Sequence, residues 1–245
     1  MIILICAGND IVDLDTPEAR GKSGDARFME RVLTTRERQA IERSTCPDRL
    51  LWAFWAARET AYKAVNKRYP SVSSAPGRYE VQLEDDAESD SGVHPLRGIV
   101  HTPKGPVPVR VMFHPDYVHC IGGYPWSGNL DSMEWGVGAI DETSESVSER
   151  ESRSSRQLAA SRIADILHCD PQDIVISKQN HHSKTGPPKI YVKGKPAYMD
   201  ISLSHDGRFA AFAVAGLSGC NHPINNARKT QKPQRAQRPQ RKNGQ

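Results

Sequence analysis

Trp55-Ala56-Ala57-Arg58-Glu59-Thr60-Ala61-Tyr62-Lys63 lies inside a pattern that reads as one long helix. Leu50, Leu51, Phe54, Ala57, Ala61 and Val65 recur at helical spacing over about residues 47–66 and form a single buried stripe. Glu59 and Lys63 sit beside that stripe, four residues apart and on one face. Alone, such a pair is a surface ion pair worth about 0.3 kcal/mol. Upstream, Ile2, Ile3, Leu4, Ile5 and Cys6 form an apolar run that reads as a buried strand over residues 1–12. That strand carries Gly8-Asn9-Asp10-Ile11-Val12. An Asp at the end of an apolar strand and a Glu inside a helix can meet at one metal ion. An amine beside two metal carboxylates suits phosphate chemistry.

Outward from these segments the chain reads as α+β. Thr34-Thr35-Arg36-Glu37 looks like a helix start, with Thr34 as cap and Glu37 three residues on. Residues 79–83, 96–101, 107–113 and 117–124 read as short antiparallel strands. Residues 127–155 are rich in Ser, Glu and Gly, a linker composition that Trp135 would tack down. An amphipathic helix is expected over about 154–168, then a strand at 174–178, a polar loop at 179–185, a strand at 189–192 and a strand hairpin at 200–215. The organisation predicted is a first half at 1–126, a linker at 127–153, a second half at 154–218 and a disordered basic tail at 224–245.

Composition narrows the function classes. The 245 residues are 37% hydrophobic and 25% charged, ordinary values for a globular protein. Five scattered cysteines without a CxxC pair argue against a zinc or redox-pair site and fit reduced thiols in a cytoplasmic protein. The apolar start is too short to span a bilayer and lacks a basic n-region, so no membrane association is expected. The formal charge of +4 comes from the tail, which has seven Lys and Arg and no acid after Asn225; the body is net acidic. The tail also lacks aromatics for base stacking, so it reads as a solubilising end and nucleic acid is not an expected partner.

Three segments together resemble the 4′-phosphopantetheinyl transferases. Gly8-Asn9-Asp10-Ile11-Val12 is similar to that family's G-x-D-I-V/E motif. Residues 55–63 are similar to W/F-x-x-K-E-[AS]-x-x-K, and Ser202-Leu203-Ser204-His205-Asp206 to S-x-S-H-[DST]. The motif order is that of the small holo-acyl-carrier-protein synthases, whose shorter subunits form trimers. The length suits a pseudodimer of two similar α+β halves related by a pseudo-twofold axis, active as a monomer. The resemblance implies transfer of the phosphopantetheine arm of coenzyme A to a serine of an apo acyl, polyketide or peptidyl carrier protein, with Mg²⁺ as cofactor and adenosine 3′,5′-bisphosphate as leaving group. It makes Asp10 and Glu59 metal ligands, and Lys63 a contact to a phosphate or to developing negative charge. Glu59 can instead take the serine proton, directly or through a water; the motif leaves both roles open. His205, with Ser204 nearby, would reach the nucleotide 3′-phosphate.

This chain departs from the pattern at several points. Arg58 replaces the motif's first Lys, and Val12 stands where the longer family type has a third acid, with Asp13 able to help through a water. Gly186-Pro187-Pro188 lacks the Lys of a G-K-P turn, a contact that Lys184 or Lys189 could supply. Arg156 and Arg162 are further phosphate candidates. The alternative to an enzyme is a non-catalytic relative that binds coenzyme A or a carrier protein; Arg58 and the missing Lys point that way. A serine hydrolase is excluded, because adjacent strand residues face opposite sides and no G-x-S-x-G elbow is present.

Overall fold

A computed structural model describes residues 5–84, 95–125, 130–141, 146–181 and 184–216, the side chains of 179–185 excepted. The elements run β1 (Cys6–Asp13), α1 (Ala26–Val32), α2 (Thr35–Arg43), α3 (Pro47–Arg68), β2 (Glu80–Leu83), β3 (Leu96–Thr102), β4 (Gly105–Phe113) and β5 (Tyr117–Tyr124). The second part holds β6 (Glu134–Ala139), α4 (Val147–Leu167), β7 (Ile174–His181), β8 (Lys184–Val192), β9 (Lys195–Asp206) and β10 (Phe209–Ala215). The strands build two five-stranded antiparallel sheets, ordered β1-β5-β4-β3-β2 and β6-β10-β9-β8-β7. In each sheet the chain lays one edge strand, crosses through a helix, and returns by four consecutive hairpin-linked strands. The class is α+β, as the sequence predicts.

α3 forms because its caps and its stripe agree. Pro47 opens it, Asp48 lies in its first turn and Lys67 and Arg68 in its last, each matched to the helix dipole. Leu51, Phe54, Ala57, Ala61 and Val65 are buried against Val81, Val100, Val109 and Val111 of the first sheet. α2 carries the predicted capping box, Thr34 and Glu37 each bonding the other's backbone. On the second sheet, Ala159 and Ile163 of α4 pack on Ile176, Ile190, Ile201 and Phe212.

Two sequence expectations need correction. The stretch read as linker contains β6, and α4 starts at Val147, capped by Ser146, where residue 154 was expected. β6 escaped notice because Glu134-Trp135-Gly136-Val137-Gly138-Ala139 is glycine-rich. Gly136 has a packing reason: a Cβ there would come 2.8 Å from the Phe212 ring. The polar loop expected at 179–185 is instead backbone of the β7–β8 hairpin, which pairs as far as His181 with Lys184. The predicted tail and the first four residues lie outside the described residues.

The two sheets meet where β1 lies across β9. Their apolar contact is small: Ala7, Ile121, Met133, Ala213 and Ala215. Polar contacts set the register. The Ala7 N–H donates to Asp200 Oδ2 (2.6 Å), the Asn9 N–H to Ser202 Oγ (3.0 Å) and the Asp13 N–H to Asp206 Oδ2 (2.8 Å). Alternate side chains of β9 thus satisfy the outward N–H groups of an edge strand, groups that are costly to bury unpaired.

Candidate active site

Gly8 lets the site form. A Cβ at Gly8 would lie 2.0 Å from the Thr60 carbonyl oxygen, so only glycine permits α3 to lie this close to β1. That close approach brings Asp10 of β1 to the face of α3 that carries Glu59 and Lys63.

The Lys63 ammonium donates to Asp10 Oδ1 (2.7 Å) and to the Asn9 carbonyl (3.0 Å). It spans two elements and does not form the surface pair with Glu59 that its spacing allows. The Asp10 side chain is 13% exposed; burial pushes its carboxyl above the usual range, and Lys63 opposes that push. Glu59 is half-buried and, among the described residues, has no hydrogen bond or ion pair. Its carboxyl is also raised, first by burial and then by the charge of Asp10, with Lys63 opposing. Two part-buried carboxylates that repel each other, one without a partner, present oxygen donors to a cation. Among the described residues no cluster of three or more His, Cys, Asp or Glu could hold a metal. A pair of carboxylates suits Mg²⁺, which is commonly bound by one or two carboxylates plus substrate phosphates.

Beside this group lies a cleft of about 270 Å³ walled by both sheets' elements. Tyr62, Lys63, Asn66 and Lys67 of α3 form one side; Ser152, Ser155 and Arg156 of α4, Lys178 of β7, Gly186-Pro187-Pro188 of β8 and His205 of β9 form the other. Lys67 is held by Asp200 and by the carbonyls of Ala7 and Ile201 (both 2.7 Å), so it ties the seam at the cleft floor. Burial lowers its pKa, against the pull of Asp200.

The Ser-His motif divides between two faces. Ser204 is buried, and its Oγ accepts from Asn9 Nδ2 (2.8 Å) at the seam; it is not part of the cleft lining. His205, one residue on, must face the other way. It lines the cleft, with Nδ1 3.2 Å from Glu151 Oε2 of α4. The serines' bonds to Asn9 therefore aim the histidine.

The remaining candidates separate. Arg156 lines the cleft and is steadied by the Ser152 carbonyl (2.9 Å) and Oγ (2.7 Å). Arg162 does not: it pairs with Glu134 of β6 at 3.0 Å. Lys189 pairs in register with Ser177 and Asp200, on the sheet face opposite Lys178 and Pro188, and is outside the cleft lining. The Lys184 side chain lies outside the described residues. Asp13 cannot assist a metal as expected, because Arg208 takes its carboxylate through Nε (2.8 Å) and Nη2 (2.6 Å). Those bonds hold its pKa down even against the push of burial, the largest single influence.

Sequence reasoning missed Lys178, Lys67 and Glu151. Lys178 was legible: Ile174 and Ile176 face α4, and the period of two carries residue 178 to that face. Its partner across the ladder is Pro188, so Lys178 stands beside the turn that lacks a Lys.

Comparison with known families supports the motif reading. Residues 7–104, which include Asp10, Glu59 and Lys63, match the model of the 4′-phosphopantetheinyl transferase superfamily. Over those residues the chain is similar to that superfamily. A search of curated proteins found no match to the chain.

Proposed function

We propose that the chain moves the 4′-phosphopantetheine arm of coenzyme A to a serine of an apo carrier protein. The observation that carries this reading is the placement of Asp10, Glu59 and Lys63 beside a cleft whose far wall presents Arg156, Lys178 and His205. Asp10 and Glu59 would hold Mg²⁺; when bound, it polarises the pyrophosphate and offsets charge on the leaving group. The carrier serine oxygen forms a new bond to the phosphorus that bears pantetheine. The bridging P–O bond breaks and adenosine 3′,5′-bisphosphate departs. The serine proton passes to Glu59, directly or through a water; burial raises its carboxyl pKa, which makes it the stronger proton acceptor. Lys63 steadies negative charge as it develops. Arg156, Lys178 and His205 receive the nucleotide phosphates, with Lys178 in place of the missing turn lysine.

The shared element order of the two sheets supports a pseudo-twofold relation between the halves, with one chain supplying both walls. The main sequence argument for a non-catalytic relative weakens, since Arg58 lies buried in the first half, remote from any phosphate role. The test is to incubate the protein with coenzyme A, Mg²⁺ and a panel of apo carrier proteins and to weigh the products. Gain of one phosphopantetheinyl group, lost in Glu59→Gln, supports transfer. Coenzyme A binding with no gain on any carrier shows the non-catalytic relative instead.

A further inference from the structure

Neutral imidazole has one N–H, whereas imidazolium has two. His205 sits where this difference matters. Its Nδ1 lies 3.2 Å from Glu151 Oε2, and the ring, 41% exposed, lines the cleft. If the ring is neutral and Nδ1–H serves Glu151, Nε2 offers a lone pair to the cleft and repels an anion. Only the doubly protonated ring can donate to Glu151 and to an anion together.

The groups facing His205 compete over that proton. Burial, the largest influence, holds the His205 pKa below its ordinary value, and Lys63 from α3 and Lys178 from β7 push the same way. Glu151 from α4 and Asp10 from β1 favour the charged ring. Arg156 of α4 adds positive charge to the same cleft. Asp10 is engaged by Lys63, so Glu151 is the one carboxylate among the described residues in contact with the ring. The Glu151 side chain is only 16% exposed, in the second turn of α4, one residue before Ser152 of the cleft wall.

We infer that Glu151 is a positioning residue: it holds His205 by Nδ1 and opposes loss of the second ring proton, so that Nε2–H donates to a phosphate bound in the cleft. The identity of that phosphate, a group of coenzyme A, rests on the proposed function; the Glu151–His205 clamp itself does not. The pair makes anion affinity depend on pH. Affinity is high where His205 is charged and falls as pH rises through its titration.

The test uses the full chain. His205 ring nitrogens are followed by NMR through the range of about pH 5–8, where His titrates, in the wild type and in Glu151→Gln, with a thermal melt confirming that the variant folds. Removing the carboxylate should lower the titration midpoint by about one pH unit, equivalent to a tenfold change in proton affinity. Coenzyme A and inorganic pyrophosphate binding, measured by calorimetry, should approach the wild type as pH falls and weaken about tenfold near neutrality. Glu151→Asp should restore part of both effects, and Glu151→Gln should add nothing in a His205→Ala background. An unchanged His205 titration, or a loss of affinity equal at every pH, overturns the inference. If wild-type protein binds pyrophosphate with this pH profile but not coenzyme A, the clamp stands and the proposed function fails.

Discussion

Arg58 and Glu37 form an ion pair sealed inside the first half, with side chains 3% and 2% exposed. Arg58 also donates from Nε to the Tyr79 carbonyl (2.9 Å), while Glu37 accepts the backbone N–H groups of Thr34 and Val81 (2.6 and 2.9 Å). One residue pair thus joins α2, α3 and the start of β2. Burial lowers the Arg58 pKa, and Glu37 restores it in part. Removing one partner strands a buried charge. Arg58→Ala should cost about 3–5 kcal/mol in urea unfolding. Phosphate affinity of the surviving folded fraction should be unchanged. Arg58→Lys keeps the charge but not the fork geometry, and should fall between. A large loss of coenzyme A affinity at unchanged stability would place Arg58 in the site after all.

Gly8→Ala tests the close approach of α3 and β1. The new methyl meets backbone, which cannot rotate away, so α3 must shift. The expected cost is about 1–3 kcal/mol of stability, the usual range for overpacking. Transfer activity should drop further than stability alone explains, because Lys63 must reach Asp10 across the same gap. Activity measured per folded molecule decides the point.

Glu59→Gln should separate stability from function. The carboxylate sits part-buried, near Asp10 and without a partner among the described residues, so neutralising it relieves repulsion. The variant should be as stable as the wild type or more so by up to about 1 kcal/mol, while metal-dependent transfer is lost. Marked destabilisation would assign Glu59 a structural role.

The seam should respond to acid through His119. This β5 residue is 0% exposed, 3.4 Å from Asn9 Nδ2, and burial lowers its pKa to about 3. In the unfolded chain it titrates near its ordinary value of about 6.5. The unfolded state therefore binds the extra proton first. The contribution is fully present above about pH 6.5 and is lost as pH falls from there toward 3. Denaturant midpoints measured across that window should slope downward on acidification, and the slope should flatten in His119→Gln.

What the sequence discloses follows how each feature is encoded. α3, the α2 capping box and β3 to β5 are written in local periodicity and caps, and their ends fall within a few residues of the reading. Asp10, Glu59 and Lys63 lie on such elements, so their meeting could be anticipated. β6 could not, because its glycines answer to a ring elsewhere in the fold, Phe212. The Ser204-His205 alternation is visible in one dimension, but which residue faces the cleft depends on Asn9, nearly two hundred positions away. The burial of Arg58 was not anticipated, although it falls one heptad after Leu51 on the buried stripe.

The manner in which β9 meets β1 has one more effect. A bare strand edge is a template on which other chains can polymerise. Here Asp200, Ser202 and Asp206 occupy the N–H groups of Ala7, Asn9 and Asp13. Sliding β9 by a single residue would bring Ile201, Leu203 and Gly207 against those donors and leave them empty. The seam thus admits its own partner in one alignment and denies the same edge to any stranger.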